Sequence, residues 1–302
     1  MARAKRHYIP GYIWHITHRC HKREFLLKFS KDRHRYLQWL YQARKRYGLT
    51  ILNYMVTSNH VHLLVVDHGD RDVIPDSMQL AAGRMGQEYN QRKSRKGAFW
   101  EDRYHATAVE SGDHLARCMV YIDTNMVRAG VVSHPAKWPF CGYNEIQAPR
   151  RKNVLIDYER LQGLLGAGSY DQLTSRYKGW VEEYCGDGEK ARKEEWTGSI
   201  AVGSRPFVEQ VKALLGFRAK GREIIEDGEG CQLREGSALY NTLFSAEKED
   251  MGPENTYLWK VKAEESTRCL GPTPGPPRTG LALGSDGLFV DGHPAENEFL
   301  QI

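Results

Sequence analysis

Two hydrophobic periods divide the first half of the chain into elements. Tyr12 to Arg19 (YIWHITHR) alternates apolar and polar positions and is rich in β-branched residues, which predicts a strand. Lys31 to Tyr47 repeats its apolar positions with helical spacing and stops at Gly48. Leu49–Val56 and His60–Val66 then predict two strands around a short Thr57-Ser58-Asn59 turn. Pro75 to Gln91 predicts a helix with proline in its first turn, Ala98 to Val109 another strand, and Asp113 caps a helix that runs to Arg128 and closes at Gly130. The order βαββαβα predicts an α+β sandwich, an antiparallel sheet with its helices on one side.

Beyond Ala148 the pattern changes. Leu155–Leu165, Tyr170–Tyr184 and Arg205–Leu215 have helical spacing, with turns at 186–189 and 228–230. The expected organisation is a first α+β domain over residues 1–148, a small, mostly helical domain over 149–262, and a Gly/Pro-rich, disordered tail over 263–302. The Arg218-Ala219-Lys220-Gly221-Arg222 patch in the second domain is suited to a DNA backbone, a protein contact or a covering lid.

Composition narrows the class. The 302 residues are 40% hydrophobic, without an apolar stretch long enough to span a bilayer and without an apolar block after the basic start, so a cytoplasmic protein with no membrane partner is expected. The six cysteines form no Cys-x-x-Cys pair, which argues against a zinc ribbon or a secreted disulfide framework. Charge is uneven: residues 1–150 carry a net +11 and residues 151–302 a net −6. Basic clusters in the first half include Arg3, Lys5, Arg6, Arg19 and Arg23, then Arg92 and Lys93; Tyr8, Tyr12, Trp14, Tyr89, Phe99 and Trp100 lie close to them. Cations interleaved with rings suit single-stranded nucleic acid.

The chemistry centres on Ser58-Asn59-His60-Val61-His62. Side chains at i and i+2 of a strand project to one face, so His60 and His62 are either a metal-binding pair or a hydrogen-bonded pair in a half-buried strand. On the later helix, Leu115, Met119, Ile122 and Met126 make a core stripe, while Arg117, Tyr121, Asn125 and Arg128 make a second stripe that the core does not claim. If this helix packs beside the sheet, the second stripe faces the histidines. His15 and His18 read as strand residues near a DNA surface, and Glu101 and Asp102 beside Arg103 read as a structural ion pair or as metal carboxylates.

The chain resembles the single-tyrosine HUH transposases in four separate motifs. These are the His-x-His strand, Phe99-Trp100-Glu101-Asp102-Arg103-Tyr104, the run from Tyr121 to Gly130, and Trp138-Pro139-Phe140-Cys141-Gly142-Tyr143. Within that family the REP-associated branch, domesticated bacterial relatives acting on short palindromic repeats, is the most similar. The resemblance spans residues 6–146 and departs from the pattern at Asp123-Thr124 and at Met126. It implies a ferredoxin-like (RRM-like) core, His60 and His62 as metal ligands, Asn125 as the third ligand, Tyr121 as nucleophile, and Mg²⁺ or Mn²⁺ as the ion. Asp123 would tune metal preference or face solvent. The implied reaction is metal-dependent nicking and strand transfer on single-stranded or hairpin DNA through a 5′-phosphotyrosine, in a monomer or a dimer at the nucleoid. Arg103, Arg117 and Arg128 join the basic residues above as expected DNA contacts. Two other functions fit less of the pattern: an idle DNA-binding protein that recognises repeats, and a metal-dependent RNA-processing phosphoesterase, in which Tyr121 has no purpose.

Overall fold

The computed structural model describes residues 9–66, 68–186, 193–228 and 230–235, all within the unit Met1–Ala238. In chain order the elements are β1 (Ile13–Arg19), α1 (Ser30–Tyr47), β2 (Thr50–Val56), β3 (His60–Val66), α2 (Val73–Arg92), β4 (His105–Val109), α3 (Asp113–Asp123) and α4 (Asn125–Arg128). They continue as α5 (Gly142–Gln147), α6 (Tyr158–Leu164), α7 (Tyr170–Gly186), α8 (Glu195–Gly198), β5 (Ala201–Gly203), α9 (Arg205–Leu215), β6 (Arg222–Asp227) and β7 (Gly230–Glu235). The fold is α+β, a seven-stranded sheet in the order β2-β3-β1-β4-β5-β7-β6.

Register fixes which side chains share a face. β1 pairs antiparallel with β3 so that Thr17 lies opposite His62 and Arg19 opposite His60. Directly opposed residues project together, so Ile13, His15, Thr17 and Arg19 share a face with His60, His62 and Leu64. Trp14, Ile16 and His18 share the other with Val61, Leu63 and Val65. β1 has only Arg19 partly exposed and β2 is buried throughout, so both sheet faces are covered. The helices accordingly lie on both sides rather than the expected one. Against one face, Trp100 stacks on His18 at 4.1 Å and meets Tyr36 of α1 at 5.9 Å; against the other, α3 sets Tyr121 beside His15 and His62.

The Trp-Pro-Phe-Cys-Gly-Tyr motif braces the strand edge. The Trp138 indole donates to the Val56 carbonyl at 3.0 Å, and Cys141 bridges to Met55. A register shift between Ile51 and Asn53 marks a bulge in β2, which turns Asn53 toward α3. Gly142 packs so tightly there that a Cβ would stand 1.9 Å from Asn53 Oδ1, backed by Ile156, so glycine is required by close approach. Likewise Phe99 sits against Gly86, and the Trp100 indole donates to the Ala82 carbonyl at 2.9 Å, tying the second aromatic motif to α2.

Other boundaries moved. The strand expected over 98–109 is regular only from His105, because residues 99–104 are spent on the Trp100 packing and a bridge from Trp100 to Cys20. The helix expected from Asp113 to Arg128 breaks at Thr124, whose hydroxyl bonds back to the Val120 carbonyl at 2.7 Å. After residue 148 the three expected helices are present, and three strands accompany them: β5 runs parallel to β4, and the β6–β7 hairpin joins through β7. A three-residue strand and a charge-flanked one, Arg222-Glu-Ile-Ile-Glu-Asp, carry too little alternation to read as strands. The expected basic residues Arg3, Lys5 and Arg6 and the tail expected at 263–302 lie outside the described residues.

Candidate active site

His60 and His62 open β3, one residue apart on the same side of the strand. Asn125 opens α4, directly after the break at Thr124, and that break swings its amide over the two rings. The amide lies 3.4 Å from His60 Nε2 and 3.1 Å from His62 Nε2, so two imidazole nitrogens and one amide converge on one point. Turning the amide by 180° would present its oxygen there without moving another atom.

The opposite edges of both rings are held. Thr57 Oγ1 at 3.0 Å and Asn59 Oδ1 at 2.7 Å contact His60 Nδ1, both from the turn before the strand. His62 Nδ1 lies 2.9 Å from His15 Nε2, and His15 Nδ1 lies 2.8 Å from the Trp196 carbonyl. A carbonyl only accepts, so His15 carries its proton on Nδ1 and accepts from His62 Nδ1–H, which leaves a lone pair on His62 Nε2 at the convergence point. Burial holds both rings neutral: it lowers His15 to about 3 and pushes His62 well below the usual imidazole range, with His60 and His15 adding to the effect on His62.

Tyr121 stands against this group. Its ring centroid is 6.1 Å from that of His62 and 6.2 Å from that of His15, both edge-on. The Arg128 guanidinium lies over the phenol ring at 4.0 Å and donates to Thr124 Oγ1 at 2.7 Å. Tyr121 is 6% exposed, so it belongs to a buried face rather than to a solvent-facing stripe. It is reached through a cavity of about 320 Å³ lined by Thr17, Arg19, Arg23, Asn59, His60, His62, Tyr121, Asn125, Arg128, Ala129 and Thr197. One chain therefore brings both histidines, the amide and the tyrosine together.

Several expectations are corrected. His15 and His18 are buried, not at a surface; His15 buttresses His62, and His18 stacks beneath Trp100 with Nε2 2.8 Å from the Asp102 carbonyl. Asp123 neither reaches the histidines nor faces solvent. It is fully buried, accepts from the Tyr177 hydroxyl and, at 3.0 Å, from Asn53 Nδ2, and burial raises its carboxyl to about 7. Arg19, Arg23 and Arg128 line the cavity; Arg117 lines a neighbouring one, Arg92 pairs with Asp32 at the end of α2, Lys93 lies over Phe29, and Arg103 is exposed in the loop before β4. Sequence reasoning missed Trp196, whose contribution is a backbone carbonyl 181 positions from His15, which no side-chain motif encodes.

The donor set fits a divalent ion in part. Among the described residues no three His, Cys, Asp or Glu side chains form a cage, so two imidazoles and an amide would hold the ion with open positions left for phosphate oxygens or water. Among the described residues no helix is long and apolar enough to cross a membrane.

Residues 9–125 match the family model described as "Transposase IS200 like", a stretch that contains His60, His62 and Tyr121 and ends on Asn125. This bears out the resemblance to single-tyrosine transposases, and with it the expectation of an enzyme of that class, over those residues. Among solved structures, the chain is similar to a REP-associated tyrosine transposase bound to a REP hairpin, with 20% identity, a TM-score of 0.41, and coverage of 49% of this chain and 87% of that one. It is also similar to a protein from Deinococcus radiodurans R1 that carries a provisional transposase name, at 18% identity and a TM-score of 0.28, covering 41% of this chain and 97% of that one. Nothing among curated proteins matches.

Proposed function

We propose that this protein nicks and rejoins single-stranded DNA through a covalent bond to Tyr121, as a transposase acting on palindromic, REP-like DNA. The observation that carries the reading is the convergence of His60 Nε2, His62 Nε2 and the Asn125 amide beside a cavity that Tyr121 lines. The Tyr121 oxygen loses its proton and forms a bond to phosphorus, the bond from phosphorus to the 3′ oxygen breaks, and the departing 3′ oxygen takes up a proton to become a hydroxyl. The 5′-phosphotyrosine keeps the energy of the phosphodiester, so a second 3′-hydroxyl reverses the step without ATP. Arg19, Arg23 and Arg128 supply positive charge for the phosphate backbone, and His15 fixes the tautomer and tilt of His62. A Mg²⁺ or Mn²⁺ ion held by His60, His62 and Asn125 would polarise the scissile phosphate and offset its developing charge.

The test is incubation of the protein with single-stranded and hairpin oligonucleotides from the flanks of its own gene, with Mn²⁺ or with EDTA, on a denaturing gel. A covalent adduct with Mn²⁺ that disappears with EDTA is expected. Tight binding without adduct on any DNA would favour a recognition protein, and cleavage of RNA alone would favour a phosphoesterase.

A further inference from the structure

Tyr121 also lines a second cavity, of about 470 Å³, that the strand-transfer chemistry does not use. Its walls come from α3, α7 and the α8 segment, including Arg117, Tyr121, Trp180, Glu183, Tyr184 and Trp196. The volume is within the ~300–1,000 Å³ of small-ligand sites. The half-buried rings of Trp180 and Tyr184 line it beside Tyr121, and the buried Trp196 ring packs behind, 6.2 Å from that of Tyr121 at a 36° tilt. Tyr121 is a wall of both cavities, which sets this one directly beside the residue read as nucleophile.

Resting on the reading of Tyr121 as nucleophile, we propose that this cavity receives the unpaired nucleobase adjoining the scissile phosphate. Aromatic walls supply stacking for a base taken out of the strand. The rim sets the choice of base. Glu183 and Asp113 are both exposed carboxylates at the cavity edge and accept hydrogen bonds only, so they favour a base with an exocyclic amine, namely cytosine, adenine or guanine, over thymine, whose single N3–H donor lies between two carbonyl oxygens that repel a carboxylate. Arg117 and Lys193 bring positive charge to the same rim for the flanking phosphate. This pocket is a specificity determinant beside the chemistry, and it explains why Trp196 is placed where its ring meets one cavity and its carbonyl holds His15.

The experiment measures binding in EDTA, where no cleavage enters, using single-stranded oligonucleotides with one abasic site walked through the sequence. One position is expected to lose about tenfold in affinity, the worth of a stacked base. Trp180→Ala is expected to weaken the intact oligonucleotide by a similar factor and to abolish the further loss at that one position, since the two changes remove the same contact. Glu183→Gln, a change at an exposed side chain that does not threaten folding, is expected to reduce the preference against thymine there. Sensitivity spread evenly along the strand, or losses from Trp180→Ala and the abasic site that simply multiply, would overturn the proposal. Adduct formation assayed on the same oligonucleotides separates the two readings: an adduct with no sensitive position removes the base pocket alone, and a sensitive position without any adduct removes the strand-transfer reading alone.

Discussion

Tyr121 and Asp123 stand two residues apart on one helix, yet they anchor polar clusters of opposite kinds. The Asp123 cluster is closed: Asn53 and Tyr177 both bind Oδ2 of its carboxyl group, and the whole group is buried. The Tyr121 cluster is open: His60 Nε2 and His62 Nε2 converge on an amide at the edge of a cavity, with their other nitrogens already held. Closed networks hold elements in register, because a buried polar group that loses its partner costs the full desolvation penalty. Open networks leave lone pairs directed at a common point, and that is what chemistry needs. The contrast also separates Asp123 from the site: its side chain points into the scaffold, toward Asn53 and Tyr177, rather than to the convergence point.

The largest expected effect breaks the open cluster. His60→Ala, at a half-buried ring, removes one of the converging nitrogens and is expected to lower adduct yield by about 10²–10³ while the melting temperature stays near that of the wild type; rates with Mn²⁺ and thermal melts measure the two sides. Next comes His15→Phe, which fills the space and deletes the bond to His62. Its expected result is a metal affinity weaker by about 10–100-fold, read by titrating Mn²⁺ into the DNA-binding or adduct assay. Arg128→Ala removes the cation over the Tyr121 ring and is expected to cost about tenfold in adduct formation, with little change in metal affinity.

The closed cluster answers to pH and stability instead. Burial raises the Asp123 carboxyl from 3.8 to about 7, with Asn53, Tyr177 and the backbone of Gly142 and Tyr143 around it opposing the shift. Between those values the folded chain holds a proton that the unfolded chain has released, so stability from this group is full below about pH 4 and falls as pH rises toward about 7. Asp123→Asn is expected to flatten that fall in urea melts taken across the window and to leave the adduct yield of folded protein unchanged. A variant whose adduct yield dropped along with its stability would show that the two clusters are coupled.

What could be read in advance follows the same division. The His-x-His spacing and the i, i+4 pair of Tyr121 and Asn125 are local patterns, and the structure brings all four residues to one cavity. The helix break that aims Asn125 was not legible, because Thr124 bonding back to Val120 is a local choice that helical periodicity hides. His15 looked like a surface strand residue, since alternation places it on a face but does not say what covers that face. The cover arrives from Trp196, and the burial of Asp123 depends on Asn53 and Tyr177, each supplied by tertiary packing from distant sequence. Three strands after residue 200 escaped notice for want of alternation, although they extend the sheet that carries the site.

The most direct test of the account is to trap the adduct on wild-type protein with Mn²⁺, digest it, and locate the nucleotide mass by peptide sequencing in a mass spectrometer, with Tyr121→Phe run alongside. The account predicts a nucleotide on the peptide containing Tyr121 and no adduct at all from Tyr121→Phe. A nucleotide on any other residue, or an undiminished adduct from Tyr121→Phe, would contradict it.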